Sequence, residues 1–130
     1  MSTLKYNTWL NTDNTENYKC RAWVNFNGIG TVAIRASGNV SSITDNGTGD
    51  YTVNFSNAMA DANYSLVGNC SADQTFPNAP SVSGVLHINA SRTSPYKSQP
   101  TTTSCRVVSA PATTISSSFD AEYITVSIFR

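Results

Sequence analysis

The stretch "SSITDNGTGDYTVNF", residues 41–55, is where chemistry would first be sought. Asp45, Asn46 and Asp50 place two carboxylates and an amide close together around Gly47 and Gly49. Such a loop can hold a cation. A calcium loop of the EF-hand kind needs oxygen ligands at positions one, three and five, glycine at six and glutamate at twelve. Counting from Asp45, position three is Gly47 and position twelve is Ser56, so that spacing fails. A cation shared by Asp45 and Asp50 with Asn46 is a residual possibility. The alternative is a hairpin. Asn46-Gly47 is a strong turn signal between alternating segments, and Asp in such turns accepts from nearby backbone N–H groups.

"GIGTVA", Gly28 to Ala33, has the form of a dinucleotide fingerprint. That motif works only when a helix follows and its N-terminus meets the pyrophosphate. Here "TVAIRAS" alternates and is rich in β-branched residues, so Gly28 and Gly30 are read as turn glycines. His87 is the single histidine. A lone strand histidine is read as a partly buried hydrogen-bonder, and no catalytic triad is assembled around it. The three cysteines, Cys20, Cys70 and Cys105, are widely separated and odd in number, against a disulfide framework or a zinc site. They are expected to be reduced core residues, the alternative being one pair formed late outside a cell. No catalytic, cofactor-binding or metal-ligating residue is assigned.

Charged residues make up only 12% of the chain, and the formal net charge is zero. A nucleic-acid partner normally demands a basic face, so none is expected. No segment is long and apolar enough for a membrane-spanning helix. The N-terminal "MSTLKYNTWLNTDNTENYK" has no apolar h-region, so no secretory signal is read and synthesis in a cytosol is expected. Solubility must come from Ser, Thr and Asn, whose short polar side chains compete for backbone hydrogen bonds and disfavour helix interiors.

These residues have to be positioned by strands. "CRAWVNF" (20–26) puts Cys20, Ala22, Val24 and Phe26 on one face and Arg21, Trp23 and Asn25 on the other. "TVAIRAS", "VSSIT", "DYTVNF", "YSLVGNC", "VSGVLHINAS", "TTTSCRVVSA" and "AEYITVSIFR" continue the pattern, with a break at Gly38-Asn39 and one helical turn expected in "SNAMADAN". About eight short strands with regular turn signals predict an all-β, antiparallel, jelly-roll-like β-sandwich. A single domain is expected over 20–130, preceded by an extended arm at 1–19.

Aromatics on or beside strands, namely Trp23, Tyr51, Phe55, Tyr64, Phe119, Tyr123 and Phe129, are expected mostly in the core. Phe76 and Tyr96 fall in two proline-bearing loops. With Arg92 and Lys97 they are the candidate contacts for a glycan or protein partner. In the arm, Tyr6, Trp9 and Leu10 are candidate subunit contacts.

The run "RAWVNFNGIGTVAIRASGNVSSITDNGTGDYTVNFSNAMADANYSL", residues 21–66, resembles a module of tailed-bacteriophage virion proteins of the tail-fibre or decoration type, many from marine and cyanobacterial phages. "STLKYNTW" is similar to the short N-terminal segment these proteins carry, with departures at Tyr6 and Trp9. The resemblance implies a non-enzymatic, surface-exposed β-module of the virion, forming a homotrimer and contacting other virion proteins. It implies no catalytic residue. A tail-fibre tip that recognises a host-surface glycan is the first expectation. A head decoration (cement) protein that stabilises the capsid is the second, and a small carbohydrate-active enzyme the third.

Overall fold

The computed structural model describes residue 2 and residues 9–15, 18–71, 84–91, 93, 97–112 and 115–130. Among the described residues the chain is all-β, with one short 3-10 turn at Ile115–Ser117 and eight strands: β1 (Cys20–Asn27), β2 (Ala33–Gly38), β3 (Val40–Asp45), β4 (Asp50–Phe55), β5 (Ser65–Cys70), β6 (Gly84–Ile88), β7 (Ser104–Pro111) and β8 (Ile124–Phe129). They form two four-stranded sheets, ordered β2-β1-β8-β5 and β3-β4-β7-β6, and every pairing is antiparallel. The pairings β1–β8, β5–β8 and β4–β7 join strands that are not consecutive, so the sandwich closes through contacts distant in sequence.

Alternation decides what lies between the sheets. Ala22, Val24 and Phe26 of β1 face inward with Ile124, Val126 and Ile128 of β8. Tyr51, Val53 and Phe55 of β4 and Cys105 and Val107 of β7 meet them from the second sheet. These four strands are central in their sheets, and most of their inward residues are fully enclosed. Enclosing each large side chain contributes about 1.5–3 kcal/mol. Phe26 and Tyr51 meet edge to face across the two layers, centroids 5.2 Å apart. A smaller cluster of Ala90, Val108 and Ala110, with Ile115 against it, lies on the other face of β7.

Several elements differ from expectation. Cys20 is exposed, because the β1–β8 register shifts between Cys20 and Ala22 and the bulge turns Cys20 out of the core face. Trp23, Tyr123 and Phe129 are likewise exposed. Their own strands alternate, and their neighbours hold the inward positions. "SNAMADAN" contains no helical turn: Met59 donates its N–H to the Thr102 carbonyl at 2.7 Å and buries its side chain in the core. So short a segment cannot repay helix nucleation against such a contact. The break after β2 is a single residue, Asn39, at φ +56°. Asn39 carries the chain from one sheet to the other, and its side chain binds the Arg21 carbonyl and the Asn57 backbone. Within the arm, residues 11–15 close a tight turn, with Asp13 accepting from Thr15.

The "DNGTGD" loop is the turn of the β3–β4 hairpin. Asp45 accepts from the Gly47 N–H at 2.9 Å, and Asn46 N–H donates to the Asp50 carbonyl at 2.8 Å. The loop is then tied to residues far along the chain. Gly49 N–H donates to Asp120 at 2.7 Å, the Ser109 N–H donates to the Gly49 carbonyl at 2.8 Å, and the Ser118 hydroxyl donates to the Thr48 carbonyl at 2.7 Å. This explains Gly49. Its φ is +69°, and a Cβ there would lie 2.6 Å from the Phe119 carbonyl oxygen and 2.7 Å from that of Ser109. Gly30 has a similar φ of +68° with open space around it. Gly49→Ala is therefore expected to lower stability by about 2–4 kcal/mol, and Gly30→Ala by only about 1 kcal/mol, in urea unfolding.

Candidate functional site

The Asp45–Asp50 loop spends its chemistry on the fold. The Asp50 carboxylate is fully enclosed and paired bidentately with Arg106, at 2.7 Å to Nε and 2.9 Å to Nη2. The hydrogen bond to Asp50 raises the affinity of the Arg106 guanidinium for its proton. Asn46 turns its amide to the Thr52 hydroxyl at 2.9 Å. With Asp45 bound to its own turn and Asp50 to an arginine, the two carboxylates do not form a shared cation pocket. Among the described residues no group of three or more His, Cys, Asp or Glu side chains is placed to hold a metal ion.

The remaining titratable candidates are also structural. Gly28 is followed by a turn and then by β2, so no helix N-terminus faces "GIGTVA". His87 Nε2 lies 3.2 Å from the Pro111 carbonyl and, in the Nε2–H tautomer, donates to it across the β6–β7 pair. The Tyr51 hydroxyl donates to Asp120 at 2.9 Å, with the Gly28 carbonyl at 3.2 Å. Burial first, and the Asp120 contact second, hold this phenol protonated well above its ordinary range. Burial pushes the Cys70 thiol up to about 11 and the Cys105 thiol up to about 12. All three cysteines are free thiols.

Of the candidate partner contacts, Phe76, Arg92 and Tyr96 lie outside the described residues, as does Tyr6. Lys97 is exposed and forms an antiparallel bridge with Ala90. Trp9 and Leu10 are exposed.

The described residues assemble the outer face of the β2-β1-β8-β5 sheet. Trp23 of β1, Ser127 of β8 and Val67 of β5 form one row across it, with Gly38 of β2 on the other side of Trp23. Asn25, Thr125 and Asn69 form the next row, with Ala36 at its end. The indole lies against Gly38, where a Cβ would come within 2.5 Å of the ring Nε1. Trp23 is nevertheless 42% exposed and Val67 50% exposed. A shallow groove of about 250 Å³ runs over Val67, Gly68, Asn69, Thr125 and Ser127. At one end of the face the Arg35 guanidinium sits 4.2 Å over the Tyr123 ring and donates to the Glu122 carbonyl at 2.6 Å.

A larger cleft of about 460 Å³ lies between Arg21, Asn39, the 57–60 turn and Arg130. Its polar groups are used as ties. Arg21 Nε donates to the Arg130 carbonyl at 2.7 Å, and the Arg130 guanidinium pairs with Asp61. The sheet face therefore offers the more open set of groups.

The sequence signal for that face is the alternation itself. Trp23 and Asn25 fall opposite Ala22, Val24 and Phe26, and Tyr123, Thr125 and Ser127 fall opposite Ile124, Val126 and Ile128. Treating strand aromatics as core by default discards it. Comparison with protein-family models, curated proteins and solved structures finds no match to this chain.

Two outcomes follow from the buried groups. Tyr51, Cys70 and Cys105 are held protonated more strongly when folded than when unfolded. Their contribution is complete below the unfolded pKa values and is lost as pH rises through and beyond them. The melting temperature should hold steady near neutral pH and fall above about pH 9 in a calorimetric pH series. In the native protein, a thiol-alkylating reagent followed by mass spectrometry should modify Cys20 first, with Cys70 and Cys105 reacting only after denaturation.

Proposed function

We propose that the chain is a non-enzymatic surface protein of a bacteriophage virion, acting as a tail-fibre tip or receptor-binding module. The observation that carries this reading is the exposed outer face of the β2-β1-β8-β5 sheet, where aromatic, amide and hydroxyl side chains stand on strands rather than on loops. Sites built on strands are held more rigidly than sites on loops, which suits recognition. The segment resembling phage virion modules, residues 21–66, spans β1 to β4 and enters β5. It supplies one central strand of each sheet and the hairpin that joins the β3-β4 turn to the rest. In this reading the resembling segment supplies scaffold and, through Trp23 and Asn25 of β1, part of the face that recognises a partner.

Among the described residues, groups of catalytic type are engaged otherwise, with Asp50 on Arg106, Asp120 on Gly49 and Tyr51, and His87 beside Pro111. This supports binding over turnover. A head decoration protein is the second reading. The exposure of Trp9 and Leu10 favours it, because an arm with uncovered apolar side chains fits a clip onto a neighbouring subunit or capsid protein. A homotrimer is part of both readings.

Immunogold labelling or a reconstruction of the virion is the test. Density or label at the tail tip is expected. Label confined to the capsid, with a capsid melting temperature that depends on this protein, would replace the fibre reading with decoration. Light scattering should give a trimer, and truncation before residue 20 should weaken it.

A further inference from the structure

We infer that the outer face of the β2-β1-β8-β5 sheet binds a short neutral oligosaccharide, with the Trp23 indole as its stacking platform. This rests on the receptor-binding reading and names its ligand class and its site.

The geometry begins with Gly38. Because it has no Cβ, the Trp23 ring lies down against the neighbouring strand at the sheet edge and stays partly open to solvent. A pyranose ring has a face of C–H groups that carries slight positive charge. An aromatic face carries the opposite sign, so the two stack. Beside the indole, Asn25, Thr125 and Asn69 cross the sheet in one row. Amides and hydroxyls both donate and accept, as the rim of a sugar does. The Asn25 side-chain oxygen is buried without a hydrogen-bond partner within the described structure, so the exposed Thr125 and Asn69 are the more accessible members of the row.

Length fits as well. Tyr123 stands two alternations beyond Ser127, the cross-strand partner of Trp23. At about 3.3 Å per residue the two aromatics are separated by roughly 13 Å along the strands, the reach of a short oligosaccharide rather than of one ring. Charge decides the class. The platform, the amides and the hydroxyls are all neutral. The nearby cation, Arg35, is stacked on Tyr123 and lies 4.0 Å from Glu122. An anionic sugar would find no committed counter-charge in the groove. A second copy of the chain fits less well, because the Asn25–Thr125–Asn69 row separates the Trp23–Val67 patch from Tyr123 and breaks the apolar continuity a subunit interface needs.

The test is NMR titration of the full chain with short neutral gluco-, manno- and galacto-oligosaccharides, with a sialylated oligosaccharide alongside. At least one neutral series should shift the Trp23 indole N–H and the Asn25 and Asn69 amides saturably, in preference to the sialylated probe. Trp23→Ala should weaken binding roughly tenfold or more, and Asn69→Ala roughly threefold, with unchanged melting temperature. Gly38→Ala, which lifts the indole without removing it, should also weaken binding. Three results would overturn the inference: no shift on this face with any neutral probe, equal affinity in Trp23→Ala, or an oligomer that dissociates in Trp23→Ala, which would mean that a second copy covers the face. Virion labelling is independent of all three, so failure here leaves the tail location to be judged on its own.

Discussion

The Tyr51 phenol joins three connections at one end of the sandwich. It reaches up from the inner face of β4, donates to Asp120 in the β7–β8 connection and lies beside the Gly28 carbonyl in the β1–β2 connection. Asp120 in turn holds the Gly49 N–H of the β3–β4 turn, and Gly28 N–H donates to the Ala121 carbonyl. A buried hydroxyl must find a partner, and a carboxylate there is stabilised by the donors it collects. The arrangement therefore satisfies several groups at once. It brings the chain into β8 at a fixed point, so that β8 pairs with β1 and β5 in the register that puts Thr125 and Ser127 on the outer face. The outer face depends on that register, since a slip of one residue would reverse every side chain.

The same economy runs through a chain with few charges. Asn39 turns the chain between sheets and fixes Arg21 and Asn57. Asn54 holds the Ser42 and Thr44 hydroxyls across the β3–β4 pair at 3.1 and 2.9 Å. The Thr101 hydroxyl accepts from the Ser104 N–H at 2.9 Å and holds the entry to β7. Asn, Ser and Thr act here as turn and cross-strand ties. A surface made this way carries little field, so the receptor-binding role we propose would rest on shape, stacking and neutral hydrogen bonds rather than on long-range steering.

Much of the fold was legible because the strand period is short. Val24 against Trp23, and Val126 against Thr125, can be read two residues at a time, and Asn46-Gly47 marks its turn without reference to anything else. The errors have local causes too. Cys20 looked inward until a bulge at the β1–β8 pair reversed it. Met59 looked compatible with a helical turn until the core offered it a place beneath the Thr102 carbonyl. The candidate site was less legible. Trp23 and Tyr123 are hidden among strand residues that usually fill a core, while Phe76 and Tyr96, which neighbouring prolines mark in the sequence, lie outside the described residues.

The sequence by itself determined the all-β class, the inward residues of the central strands and the structural use of the "DNGTGD" loop. Each follows from neighbours a few positions apart. Only the tertiary structure decided which strands lie side by side, that Asp120 supports a turn some seventy positions earlier, and that Asn25, Thr125 and Asn69 form one row. Alternation assigns a side chain to a face but does not say which strand will stand next to it. Pairing is settled by burial and hydrogen bonding between segments far apart in the chain. A face made from three strands therefore exists only once they have met.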